Sequence, residues 1–569
     1  MFRSQYLDYA QLTTRLETWA AAHPAFVRLS SIGKSREGRD LHLLTIGCDP
    51  DTPRPAVWVD GNMHASEFCG SSVSLAIAED LIAIHSGQRD VAGLPAHMAE
   101  AVKSHLFHIV PRISPDGAEA VLKTGRYVRS HPADHRADRG RSYWQNADAD
   151  GDGQMGYMRQ HCADGEMVEL KDEDGKRFGH GVLVPRRPED EGPFWRVYPE
   201  GHIVNFSGGR IPDPNYLGDT QTDYNRNFPY QWGAENEQIG AGEFPGSEPE
   251  TRALLEWHAA HPNIYAWINY HTFGGVFLRP SGDQPDSAMD QADLTVFKQV
   301  EQWATELTGY RTVSGYHEFQ YEPGTPSRGV ITGYAYHQRG ALSYCVELWD
   351  IFQQIGMKPK KLFIDYYSQM DRADLLTLAK WDRDVNHSRI FRPWRAFHHP
   401  QIGAVELGGI DLRVGISNPP YEKLDEVCRQ HSATTLRVAS LLPQLSVTLT
   451  QQETVAPGMT KLSFAIINHG YLGTHGISSA KQLAHVEPLR MTVEGHGVNV
   501  AAPGDAVIQL GHLEGWGRGP HGGFQMFAPW TRGNGNERHV TLVVEGSGTM
   551  KVKVGSCRVG FRVVDVVVG

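Results

Sequence analysis

The segment that most restricts the fold of this chain runs from residue 55 to residue 85. An apolar run, PAVWV, passes through DGNMHASEFCG into SSVSLAIAEDLIAI, where Val73, Ile77, Leu81 and Ile84 fall on one helical face. A strand feeding straight into an amphipathic helix is the unit of an α/β sheet, and in open sheets of that kind ligands bind beyond the carboxyl ends of the strands. His64 and Glu67 occupy the junction, three residues apart. A histidine and a carboxylate at that spacing can share a metal ion, which raises the question of what else in the chain completes such a centre.

The surroundings fit an α/β architecture. YAQLTTRLETWAAAH places Leu12, Leu16 and Ala20 at helical spacing, and VRLSSIGKSREGRDLHLLTIG reads as two strands about a Gly-bearing turn. SHLFHIVPR, NIYAWINYH and LSYCVEL are further strands. The expected fold is a mixed, mostly parallel sheet flanked by helices over residues 1–394, interrupted by a polar insertion at about 130–220, too long for an ordinary loop and placed at the rim of the site. From residue 395 the chain turns Gly-rich with alternating strands such as HVTLVVE and CRVGFRVVDVVV, which predicts a β-sandwich domain over 395–569.

Composition narrows the partners. With 569 residues, 40% of them hydrophobic, the chain can bury more than one core. Its 54 basic and 66 acidic side chains leave a formal charge of -12, which speaks against a nucleic-acid partner held through phosphates. No stretch reaches the roughly 20 apolar residues of a membrane span, and the N-terminal residues lack the apolar core of a signal peptide. The six cysteines form no CxxC pair. A cytoplasmic location is therefore expected, or a secreted or periplasmic one if an export signal was trimmed.

A catalytic zinc commonly takes three protein ligands and keeps a fourth position open, and two histidines with a glutamate form one such set. The third ligand is expected at His271, which ends the strand-like run NIYAWINYH. With HxxE, this late histidine and further segments in order, the chain resembles the zinc carboxypeptidases of the carboxypeptidase A type over roughly residues 5–385. SIGKSREGRDL resembles that family's first strand-turn-strand, and PRISPDG its P-x-x-N-P-D-G segment with Ser114 in place of Asn. The resemblance implies His64, Glu67 and His271 as zinc ligands. It implies Arg129, twelve residues past Gly117, as the arginine that polarises the scissile carbonyl, with Arg126 as the alternative on the same segment. It also implies Asn225 and Arg226, in TDYNRNF, as the grip on a substrate's terminal carboxylate, and Glu347, in SYCVELWD, as the general base. A closing tyrosine is expected at Tyr321, with Tyr316 and Tyr334 as competitors. Ser66 stands where pancreatic relatives carry arginine.

The function implied is a zinc carboxypeptidase that hydrolyses the C-terminal amide bond of peptides with a free C-terminus. Two alternatives stay open: a zinc amidase or isopeptidase acting on cell-wall or side-chain-linked peptides, and a non-catalytic binding protein. A second metal signal is independent of the family. In DADGDGQMGYMR, Asp148, Asp150 and Asp152 alternate before Gly153 like the first half of a calcium loop, but its twelfth position is Arg159 rather than a bidentate glutamate.

Overall fold

The structure is a computed structural model, and it describes all residues except 1, 133–139, 215–221, 281, 322–323, 505–506, 520–526, 528–530 and 532. Its central sheet has eight strands in the order Val27–Lys34, Asp40–Ile46, Leu106–Val110, Ala56–Gly61, Ile264–Thr272, Leu342–Leu348, Val276–Arg279, Arg311–Ser314. The four strands Leu106–Val110, Ala56–Gly61, Ile264–Thr272 and Leu342–Leu348 run parallel, side by side. The two middle strands are buried at every position, the consequence of covering both faces of a parallel sheet. Val57, Val59, Ile268 and Tyr270 face one apolar core with the helix Cys69–His85, while Trp58 and Trp267 face a second core with Leu254 of the helix Pro249–Ala260.

The α/β expectation holds, but the domain boundary drawn at residue 395 does not match the packing. Strands Phe391–His399 and Gly403–Ile410 extend a six-stranded sheet whose other strands are Tyr157–His161, Phe194–Pro199, Met167–Glu169 and Leu183–Pro185, all from the insertion. The helix Tyr421–Ala439 then buries Leu424, Val427, Cys428 and Leu436 in the same core as the helices Cys69–His85 and Gln291–Thr308. The separate β-domain begins at Leu445. In it the long strand Glu537–Ser556 pairs with Met459–Asn468 along its first half and Gly560–Val568 along its second, with Leu489–Ala502 on the opposite edge. These strands belong to one six-stranded antiparallel sheet, with a core that includes Leu462, Phe464, Met491, Leu542 and Val552.

The β-domain is riveted to the end of the central sheet opposite His271 and Glu347. Arg558 is fully buried, donates to the carbonyls of Pro262 at 2.9 Å and Gly340 at 2.8 Å, and stacks 4.5 Å from the ring of Tyr265. Those carbonyls lie two residues before the strands Ile264–Thr272 and Leu342–Leu348, which carry His271 and Glu347 near their far ends. Among the described residues no helix is long and apolar enough to cross a membrane.

Candidate active site

The carboxyl ends of the central strands bring the separated motifs together. After the strand Ala56–Gly61 the chain turns sharply at Asn62, whose φ is 54°, and its side-chain amide donates to the carbonyls of His64 and Ala65. The helix that follows can approach closely because a Cβ on Gly61 would lie 2.5 Å from the backbone of Gly70. Asn418, from the loop before the last helix of the catalytic core, accepts from Cys69 N at 2.8 Å and donates to Ser66 O at 2.7 Å, fixing the junction from outside.

His64, Glu67 and His271 converge there, each 4% exposed or less, with ligand atoms all within 4.8 Å of one another. Glu67 carries His64 Nδ1 at 2.8 Å on one oxygen and His271 Nδ1 at 3.2 Å on the other. Both imidazoles turn Nε2 away from the centre. His64 Nε2 meets Asp223 Oδ1 at 3.2 Å, and His271 Nε2 meets Asn269 Oδ1. A metal ligand that gives its other ring N–H to an acceptor is oriented and held in one tautomer, so this set of two Nδ1 atoms and a carboxylate fits zinc.

Glu347 and the remaining residues surround this centre. In the parallel pairing Glu347 lies directly beside His271, and its carboxylate shares a cluster with His271 and Cys345. Burial, and then the Glu67 carboxylate, push its pKa well above the ordinary value, with Arg129 pulling the other way. Arg129 pairs with Asp223 at 3.0 Å and approaches Glu67 at 3.7 Å. Arg126 lies on the same segment, where its backbone N–H donates to Thr124 Oγ1. Asn225 and Arg226 sit on a single helical turn, Tyr224–Arg226, capped by the Asp223 side chain. The Asn225 side chain accepts from Ile331 N at 2.9 Å and Arg226 Nη1 donates to Asn225 O at 2.8 Å.

Tyr321 is 64% exposed, within electrostatic reach of Glu347, Arg129 and Arg226. Tyr334 is only 5% exposed and packs on Phe228 and Trp267, which removes it as a closing residue.

Several residues of the site escape a reading of the sequence alone. Asp223 links His64 to Arg129 and sits two places before Asn225 within TDYNRNF. Burial disfavours its charge, but Arg129, His64 and Arg226 outweigh this and hold its carboxyl well below the usual range. Tyr127 brings its hydroxyl to Arg129. Nothing in the local sequence marks Asp60, Asn269 or Asn418.

The aspartate loop is built differently. Asp148, Asp150 and Asp152 do cluster. However, Asp148 accepts from the backbone N–H groups of Gly151, Asp152 and Gly153, and Arg395 pairs with Asp150 at 3.0 Å and with Asp152 at 2.7 Å. Arg159, at the place of the missing glutamate, is a buried strand residue paired with Glu169 and Glu406. Arg395 is thus paired with two of the three carboxylates, and the third, Asp148, is bonded to the backbone of its own turn.

Comparison with known proteins matches residues 12–164 and 205–373 to the family described as zinc carboxypeptidase. A domain of unknown function matches residues 444–567. The zinc carboxypeptidase of Saccharothrix mutabilis subsp. capreolus is 32% identical over 124 residues, which is 21% of this chain and 27% of that protein. An inactive metallocarboxypeptidase of Ajellomyces dermatitidis is 29% identical over 134 residues, 23% of this chain and 22% of that protein. The chain thus spans about a quarter of the length of these curated relatives. Bovine thrombin-activatable fibrinolysis inhibitor, solved in complex with tick carboxypeptidase inhibitor, is 14% identical with a TM-score of 0.43, covering 77% of this chain and 98% of that one. The gap in the family match, from 165 to 204, holds four strands of the insertion, Met167–Glu169, Leu183–Pro185, Phe194–Pro199 and Gly201–Val204.

Proposed function

The chain belongs to the zinc carboxypeptidase family, and on that premise we propose that it is an active carboxypeptidase releasing C-terminal residues from peptides. The observation that carries this reading is the pairing of Glu347 beside His271 on adjacent parallel strands, next to a complete ligand set. A chain kept only for binding has no physical use for a buried carboxylate whose pKa burial has raised.

In this mechanism His64, Glu67 and His271 would hold zinc, which when bound would supply Lewis acidity toward an amide near neutral pH. Glu347 takes the proton of the attacking water and returns it to the leaving amine. Arg129, fixed by Asp223, stabilises the developing oxyanion. Asn225 and Arg226 hold the substrate's terminal carboxylate, the guanidinium through paired hydrogen bonds. Tyr321 closes over the bound peptide from its exposed position.

The test is amino-acid release from a peptide panel, each member offered with a free and an amidated C-terminus, with and without chelator. The expected result is release from free C-termini only, abolished by chelator and restored by zinc. Cleavage indifferent to amidation would instead favour internal amide or isopeptide bonds and remove Asn225 and Arg226 from their role.

A further inference from the structure

Asp60 lies near the end of the strand that leads into the HxxE junction and is 0% exposed, with no cation among its hydrogen-bond partners in the described residues. Three donors reach it. The indole N–H groups of Trp58 and Trp267 meet Oδ2 at 2.7 and 2.8 Å, and the Asn269 amide nitrogen meets Oδ1. Burial lifts its pKa to about 6 against these bonds, so near neutral pH the group is ionised and accepts only.

That acceptor-only character propagates. Asn269, itself 0% exposed, has one donating end and one accepting end. With Asp60 able only to accept, Asn269 must turn its NH2 toward Asp60 and its Oδ1 toward His271 Nε2. An amide oxygen cannot donate, so the proton of a neutral His271 must reside on Nε2. The lone pair is then left on Nδ1, the atom that faces Glu67 and His64.

We propose that Asp60 is a positioning residue that sets the metal-binding tautomer of His271 through the polarity of the Asn269 amide. The inference rests on the reading of His64, Glu67 and His271 as a zinc centre, and it goes beyond the ligand set. Among the described residues Asp60 makes its side-chain hydrogen bonds to Trp58, Trp267 and Asn269 and not to a ligand, yet it determines which nitrogen His271 offers. An isosteric asparagine at position 60 reverses the chain of donors. Its oxygen stays with the two indoles and its NH2 now faces Asn269, which must answer with its oxygen and turn its own NH2 on His271.

The test uses the full chain, stripped of metal, with zinc affinity read by competition against a chromophoric chelator. Asp60→Asn and Asn269→Asp should each weaken zinc binding by roughly 10- to 100-fold, the range for outer-shell changes. The exchange D60N/N269D restores the order of donors, because the new asparagine donates to the new aspartate and that aspartate accepts from His271. It should recover most of the affinity lost by either single variant. Trp267→Phe removes one donor to Asp60 while keeping the amide polarity, and should stay close to the parent chain.

Asp60→Asn binding zinc as tightly as the parent would overturn the proposal. So would an exchange variant no better than the worse single one, or a Trp267→Phe loss as large as that of Asp60→Asn, since either outcome assigns the effect to packing. His271→Ala is the control for the underlying reading: zinc binding unchanged by it would dismiss the zinc centre itself, a result distinct from failure of the relay alone.

Discussion

His64, Glu67 and His271 are at most 4% exposed and come from the ends of two adjacent parallel strands, whereas Asp148, Asp150 and Asp152 follow one another along a single turn at the surface. Each set brings three metal-capable side chains within 4.8 Å, so proximity does not separate them. Their partners do. In the first set the outward ring nitrogens are bonded to Asp223 and Asn269, and among the described residues the inward nitrogens meet only each other and Glu67. In the second the oxygens are taken by backbone N–H groups of the same turn and by Arg395. A metal site is distinguished by ligand atoms that the fold orients toward one point and leaves without a better internal partner.

The sharpest way to break this contrast is to remove one member of the first set and neutralise the whole of the second. Glu67→Ala or His271→Ala should weaken zinc binding by more than the roughly 100-fold ceiling of an outer-shell change and abolish amino-acid release. Changing Asp148, Asp150 and Asp152 together to asparagine should leave both within about twofold, as for surface substitutions generally. Zinc titration and peptide hydrolysis check both.

Separating binding from chemistry comes next. Glu347→Gln should keep zinc affinity while lowering kcat by roughly 10²- to 10⁴-fold, and a parallel loss of zinc would turn Glu347 into a ligand instead of a base. Arg226→Ala should raise KM for peptides with a free C-terminus by roughly 10- to 100-fold, because the terminal carboxylate loses a charge-assisted bond.

A smaller effect follows from protonation. Burial and Arg129 oppose a charge on His64, but Glu67 and Asp223 outweigh them and raise its pKa. In the metal-free chain that proton stabilises the fold at pH below the unfolded histidine value of about 6.5, and the contribution is lost as pH rises through the higher folded value. Zinc needs the neutral ring, so its affinity should change in the opposite sense, falling about tenfold per pH unit below the folded value. A flat zinc affinity across that window would dissociate His64 from the centre. The least effect belongs to the aspartate turn. Zinc at a thousandfold excess over its Kd should add about 4 kcal/mol to stability, while calcium at the same concentration should add less than about 0.5 kcal/mol, both read from thermal unfolding.

What the sequence disclosed follows the range of the interactions. The strand, HxxE and helix of residues 55–85 are set by local periodicity and a spacing of three, and the structure has them as expected. His271 was legible because it closes the apolar strand-like run NIYAWINYH, and Glu347 through the resemblance of SYCVELWD to the family's segment; the structure has both on strands of the central sheet. The outer partners were not, since Asn269 reaches Asp60 across 209 positions and Asn418 reaches Ser66 across 352. No periodicity encodes a contact of that span. The misplaced boundary has a similar origin: the strands at 391–410 have the same alternating, Gly-rich character whether they join the insertion sheet or start a new domain. The helix Tyr421–Ala439 did carry a signal, with Leu424, Val427, Cys428 and Leu436 on one buried face.

The most direct test of the metal centre is anomalous diffraction at the zinc absorption edge, from crystals of the full chain grown with zinc and calcium together. The account predicts a zinc peak within bonding distance of His64 Nδ1, Glu67 and His271 Nδ1, and none over Asp148, Asp150 and Asp152. A zinc peak on the aspartate turn with the histidine set empty would contradict it.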